Sequence, residues 1–247
     1  MIELKPLPWD SEHFGFKVGR VDLLGNDLDN LVELLSLARQ SNYQLIYVFT
    51  PENQDLDPIV LDQFDGTLVD RRVDYTLDLL NASSVEHSSA KSNEYQFRIV
   101  HRKHGPADSQ LLELGVLAGH CSRFLQDSKI EVKKAKRLFE IWIEKSALCV
   151  NGEQVLLALD EEGQVAGMAT VSLNNQEGRI GLISVLGKYQ GRGVGKQLIA
   201  ELIDYGHKQE LNRMRVTTQG ANLSANQLYL KAGFAVESVT NTYHFWL

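Results

Sequence analysis

The chain has 247 residues, 43% of them hydrophobic and 23% charged, with a formal net charge of -7. That composition excludes a disordered or low-complexity chain, and the negative charge argues against broad attraction to nucleic acid or to an anionic membrane. An anionic ligand therefore needs a local cationic site.

In chain order, Lys17–Leu23 reads as a strand, Asp27–Gln40 as a helix with Leu28, Leu31, Leu34, Leu35 and Ala38 on its apolar face, and Gln44–Thr50 as a strand. Pro58–Phe64 reads as a helix, and Thr67–Leu79 as one long or two short strands. The Ser- and Asn-rich stretch Asn81–Asn93 marks a boundary, with residues 86–94 as the linker. Residues 1–85 are thus expected to form a small N-terminal α/β domain, and residues 95–247 a larger one.

In the larger part, Tyr95–Val100 reads as a strand, Asp108–Gly119 as a helix capped by Asp108 and closed near Gly119, and Val132–Ser146 as a second helix. Three strand-like runs follow at Ala147–Leu159, Gln164–Leu173 and Gly178–Val185. A glycine-bearing turn and helix over residues 191–208 lead to strand Arg213–Thr218, helix Ser224–Ala232 and a terminal strand Tyr243–Leu247.

No apolar run approaches the roughly 18 residues of a membrane span, and the N-terminus lacks a secretory h-region, so a cytoplasmic protein is expected. Cys121 and Cys149 are too few for a disulfide framework or a zinc site, and no metal is expected.

The segment Gln190-Gly191-Arg192-Gly193-Val194-Gly195-Lys196 joins an apolar strand to an amphipathic helix. Such a turn aims free backbone N–H groups and the positive end of a helix dipole at one point, where glycines admit a phosphate and Arg192 and Lys196 add charge. The spacing is neither that of the P-loop nor that of the dinucleotide fingerprint, so both nucleotide readings lose ground. A plain glycine-rich turn is the alternative reading.

Gln190, Gly193 and Gly195 match the pattern Gln/Arg-x-x-Gly-x-Gly/Ala of the acyl-CoA pyrophosphate loop, and the chain resembles the GNAT acetyltransferase superfamily. Asn222-Leu223-Ser224-Ala225-Asn226-Gln227-Leu228-Tyr229 through Gly233-Phe234 is similar to a second signature of that superfamily. The order of elements over 95–247 agrees with it. The resemblance implies a GNAT fold, an α/β (α+β) architecture with a central mixed, splayed sheet flanked by helices and preceded by the smaller N-terminal domain.

It also implies acetyl-CoA as the donor, with Leu182, Ile183, Ser184 and Val185 lending backbone groups to the pantetheine arm. Ser184 or Val185 would serve the acetyl carbonyl. Gln190, Gly191, Arg192, Gly193, Val194, Gly195 and Lys196 would hold the pyrophosphate. Tyr229 corresponds to the superfamily tyrosine that gives a proton to the departing sulfur. A phenol of pKa near 10 stays neutral at pH 7 and can do so; packing in a core is the alternative reading. Asn222 either caps its helix or meets the cofactor. No carboxylate stands on Gly167–Leu173, where many relatives carry a base, and Glu177, His244 and Tyr243 are the remaining candidates beside a water chain.

Pro8–Arg20 and Ser122-Arg123-Phe124 resemble the branch that acetylates dTDP-linked 4-amino-4,6-dideoxyhexoses for cell-surface polysaccharide. That resemblance implies a nucleotide-sugar acceptor, with Arg123 on the diphosphate, Phe124 stacked on thymine, and Trp9 and Phe14 either walling the sugar pocket or packing the two domains together. It is compatible with a homodimer and implies no nucleic-acid or membrane partner. Another amine acceptor (a protein N-terminus, a polyamine or an antibiotic) and a non-catalytic acyl-CoA sensor remain open.

Overall fold

The structure is a computed structural model that describes residues 2–23, 28–80, 97–150 and 152–247. The expected linker 86–94, Tyr95, Asp27 and the side chain of Leu28 lie outside the described residues.

The N-terminal half contains β1 (Lys5–Pro6), α1 (Pro8–Phe14), β2 (Lys17–Asp22), α2 (Leu28–Gln40), β3 (Tyr43–Pro51), α3 (Pro58–Gln63) and β4 (Gly66–Asp78). The rest contains β5 (Arg98–His101), α4 (Ser109–Ala118), α5 (Arg123–Gln126), α6 (Val132–Ala147), β6 (Gln154–Leu159), β7 (Val165–Asn174) and β8 (Glu177–Val185). A short 3-10 turn at Gly187–Tyr189 precedes α7 (Val194–Lys208), β9 (Arg213–Gln219), α8 (Leu223–Lys231) and β10 (Ala235–Trp246).

Several elements depart from the sequence reading. Helix α1 was unforeseen because a seven-residue segment crowded with aromatic and imidazole rings has no helical period to read. The strand expected at Ala147–Leu159 begins only at Gln154, since the apolar residues before it belong to the end of α6 and a turn with Cys149 at φ 57°. Gly119 does close α4, but at φ -86°; a Cβ there would run into the Phe139 ring, so close packing rather than left-handed backbone calls for glycine. The final strand is twelve residues long because its polar first half, Ala235–Asn241, pairs with β4.

All ten strands form one sheet in the order β1-β2-β3-β10-β4-β9-β8-β7-β6-β5. Strands β2 and β3 are parallel, as are β8 and β9, and each pair is joined by a helix, α2 or α7. A second helix and an antiparallel strand complete each half: α3 and β4 in one, α8 and β10 in the other. These last strands are exchanged. β10 pairs with β3 of the N-terminal half, and β4 pairs with β9 of the C-terminal half, so the run β2-β3-β10-β4-β9-β8 reads alike from either end.

The exchange extends into the cores. Tyr243 and Phe245 of β10 are buried with Leu31, Leu35, Ile46 and Phe64 from the N-terminal half. Val73 and Tyr75 of β4 are buried with Leu198, Val216 and Tyr229 from the C-terminal half. Each such side chain contributes about 1.5–3 kcal/mol by leaving water, and it does so in the opposite half's core.

Phe245 is fully buried, so Phe245→Ala should cost about 3–5 kcal/mol in urea unfolding. Tryptophan fluorescence and far-UV ellipticity should then shift to one common midpoint, whereas two separated midpoints would show halves that unfold independently.

Candidate active site

The parallel pairing of β8 with β9 runs from Glu177 against Arg213 to Ile180 against Val216 and then stops. The cause is a bulge. Between Ile180 and Ile183 the register of β8 against β7 shifts, and the Leu182 N–H bonds the Thr170 hydroxyl at 2.8 Å instead of a main-chain carbonyl. A bulge bends its strand, and this one turns β8 away from β9. Gly181 sits at the bend, where a Cβ would stand 2.7 Å from Thr170 Oγ1. By contrast, β2 and β3 stay paired as far as Asp22 against Phe49, so the described residues of the N-terminal half show no such opening.

Beyond the bulge, Leu186 N–H bonds Ala166 O at 2.9 Å, which fixes the alternation of the antiparallel ladder. Leu182, Ser184 and Leu186 direct their main-chain groups to β7, and Ile183 and Val185 direct theirs into the gap. Gln190 Nε2 reaches back to donate to Val185 O at 3.1 Å, outlining the gap's edge. The Leu182 side chain is buried with Met168 and Leu114, and the Ser184 hydroxyl donates to Leu114 O at 2.8 Å. Of the four expected strand residues, Ile183 and Val185 are the two that face the gap.

At the gap's end the chain turns into α7. Gly191 and Gly193 have φ of 74° and 84°, left-handed values that L side chains rarely adopt, and a Cβ on either would project into open space. Gly193 is the helix N-cap and has no side-chain cap bond, which leaves the first-turn N–H groups of Val194, Gly195 and Lys196 pointing outward. Those donors and the helix dipole make a site fit for an anion such as a diphosphate. Lys196 is exposed beside it, while the Arg192 guanidinium rests 5.5 Å and 5.6 Å from the rings of Phe97 and Tyr189.

Tyr229 lies on α8, 2% exposed, with its ring 5.7 Å from Tyr75 of β4 and 6.0 Å from Phe234. Burial, with Tyr75 adding to it, pushes the Tyr229 phenol well above its usual pKa, so it stays protonated. Asn222 acts as a cap: its Oδ1 accepts from Ala225 N at 3.2 Å and from the Ser224 hydroxyl at 3.0 Å.

Where β9 ends, Gly220 and Ala221 form one wall of a cavity of about 590 Å³ that is also lined by Asp70, Arg71, Asp127 and Trp246. Asp70 comes from β4, in the N-terminal half. Burial pushes its carboxyl up to about 6, against the opposing charge of Arg123 and the amides of Arg71 and Gly220. A carboxyl with that pKa is mostly ionised at pH 7 yet more basic than an ordinary carboxylate, which suits a general base.

Behind the cavity, the Arg123 guanidinium is 4.6 Å from the Tyr47 ring and 4.4 Å from the Phe124 ring. Ser122 Oγ, Arg123 Nε, Thr242 Oγ1 and His244 Nε2 are all buried without a hydrogen-bond partner. Thr242 pairs with Asp70 and His244 with Tyr47, so these groups share the sheet face that carries the cavity. Native proteins rarely strand so many polar atoms in one place.

Of the residues considered for the base, Glu177 lies elsewhere, Tyr243 is engaged, and His244 is engaged through Nδ1 while its Nε2 has no partner. Glu177 starts β8 and pairs with Arg215 at 3.2 Å, at the opposite end of the strand from the gap. Tyr243 holds Asp55 at 3.4 Å inside the N-terminal core. His244 is fully buried, its Nδ1 2.6 Å from Asp127 Oδ2. Burial lowers the imidazole's pKa while Asp127 opposes it, and the same contact helps hold Asp127 ionised, so Nδ1 donates and Nε2 is left as an acceptor.

Phe14 is buried in a cluster with Val18, Tyr47 and Ile130, which makes it a packing residue. Trp9 stacks on His13 at 5.0 Å, under the Lys145 ammonium, on the outside of α1. Asp70 and Tyr75 escape a reading of the sequence because nothing in residues 66–78 signals that this strand inserts beside β9.

Residues 120–234 match the Acetyltransferase (GNAT) family. Over those residues the chain is similar to GNAT acetyltransferases. It is 26% identical over 245 residues to dTDP-fucosamine acetyltransferase of Escherichia coli O6:H1, covering 99% of this chain and 96% of that protein. Among solved structures, a conserved protein of unknown function from Staphylococcus epidermidis superposes with a TM-score of 0.66 at 11% identity, over 97% of this chain and 88% of its own. A tandem GNAT protein from the clavulanic acid biosynthesis pathway gives 0.56 at 14% identity, over 93% and 75%. The GNAT fold is therefore present with β4 of the N-terminal half built into its sheet. None of the described helices is long and apolar enough to cross a membrane.

Gly193→Val would place a β-branched side chain at φ 84°, straining the loop by about 1–2 kcal/mol and filling the space in front of the α7 amides. The dissociation constant for coenzyme A, measured by calorimetry, should rise at least about tenfold. An unchanged constant would remove the loop from donor binding.

Proposed function

We propose that the protein transfers the acetyl group of acetyl-CoA to the 4-amino group of a dTDP-linked 4-amino-4,6-dideoxyhexose of the fucosamine type. The observation that carries this reading is the length of the similarity. The dTDP-fucosamine acetyltransferase matches over both halves, including the region that supplies β4 and Asp70 to the cavity. A dedicated acceptor pocket built partly from an N-terminal half suits a large acceptor better than a lone amine.

Acetyl-CoA supplies an activated thioester carbon and a thiol leaving group. The α7 amides grip its diphosphate, and Lys196 adds charge. Ile183 and Val185 pair with the pantetheine arm as an added strand would. The Val185 N–H, directed into the gap, donates to the thioester oxygen as that oxygen gains negative charge. Asp70 accepts the proton of the acceptor amine, and Tyr229 gives its phenolic proton to the departing sulfur. Arg123 serves the acceptor's diphosphate from behind the cavity, and Phe124 lies against it.

Two measurements test this reading. Thiol release from acetyl-CoA should depend on dTDP-4-amino-4,6-dideoxygalactose, and turnover only with peptide or polyamine acceptors would replace that substrate. The value of kcat/KM should rise with pH through about 6 as Asp70 ionises. Asp70→Asn should abolish that limb and lower kcat by about 10²–10⁴, whereas a limb kept in the variant would assign the titration to another group.

A further inference from the structure

The β9–α8 turn joins the donor gap to the acceptor cavity, and a side chain from the other half of the molecule holds it. Tyr75 of β4 is 3% exposed, and its hydroxyl donates to Asn226 Oδ1 at 2.8 Å. At its other end, Asn226 Nδ2 faces three carbonyls: Gln219 O at 2.9 Å, Gly220 O at 3.3 Å and Asn222 O at 2.8 Å. That pattern fixes the amide's orientation, because a flipped Asn226 would set its oxygen against three acceptors. Beside it, Gly220 N–H bonds Arg71 O of the same β4 at 2.6 Å.

Asn226 and Tyr229 are three residues apart on α8, on one face of the helix. The Tyr75 ring spans both, bonded to one through its hydroxyl and packed 5.7 Å from the other. The Tyr229 hydroxyl itself has no hydrogen-bond partner among the described residues, so its direction depends on how α8 is rotated. Burial keeps the Tyr75 phenol protonated and able to donate.

We infer that Tyr75, acting through Asn226, is a positioning residue that sets the rotation of α8 and thereby aims Tyr229, while fixing the turn that walls the acceptor cavity. The inference rests on the reading of Tyr229 as the proton donor. It makes a residue of the N-terminal half part of the proton-donating apparatus without contact with donor or acceptor.

The test is a double-mutant cycle on the full chain, read as acetyl-CoA-dependent thiol release. Tyr75→Phe keeps the ring and deletes the hydroxyl. It should lower kcat about 10- to 100-fold, the scale of a small misplacement of a reacting group, and leave the coenzyme A dissociation constant within about twofold. In a Tyr229→Phe background the same change should cost nothing further, since the group it aims is gone. Independent, multiplying losses would overturn the inference.

A second readout needs no acceptor. Hydrogen exchange at the Gly220, Asn222 and Asn226 amides should quicken in Tyr75→Phe, and unchanged exchange there would also overturn it. If Tyr229→Phe keeps full kcat, the proton-donor reading fails instead, and the exchange rates alone decide whether Tyr75 holds the turn.

Discussion

The position of β4 between β9 and β10 is the constraint on which the rest of the molecule depends. A strand from the N-terminal half completes the sheet of the catalytic half, and the last strand of the chain completes the other in return. Through that one insertion, Asp70 reaches the cavity beside the β9–α8 turn and Tyr75 reaches α8. On the proposed reading, the hydrogen bonds of the β4 ladder hold chemistry as well as fold.

The donor side depends on a local failure of pairing. Two parallel strand pairs have the same plan, yet only β8 and β9 part, because a bulge at Gly181 hands one amide to a threonine hydroxyl. The gap exposes main-chain groups of Ile183 and Val185 on a protein of net charge -7. On the proposed reading, a diphosphate is held there by oriented amides and a helix terminus within a few ångströms, since the long-range field of the molecule is unfavourable and is screened by salt.

The local geometry of the glycine loop and of α8 was legible in the sequence. The glycines at 191, 193 and 195, and the Asn222 to Phe234 segment, encode local geometry in consecutive residues, and the loop, the cap and the placement of Tyr229 follow. Which residues of the splayed strand face the gap was not legible, because a bulge shifts the alternation and depends on Thr170, a strand away. The acceptor side was hidden for a stronger reason. Asp70, Arg123 and Trp246 come from three distant parts of the chain, and their meeting follows from the strand exchange. Thr67–Leu79 reads as one long or two short strands and Gly66–Asp78 is one strand, but no period or motif states which neighbour a strand will choose.

The interlocking of the halves also bears on how such a protein can change over generations. Recombination that swaps in a foreign N-terminal segment must bring a strand with the length and register of β4, and must accept β10 from its host in return. Neither half completes its sheet without a strand from the other. New acceptor preferences in this lineage are expected to arise by substitution along existing strands and loops rather than by exchange of whole cassettes.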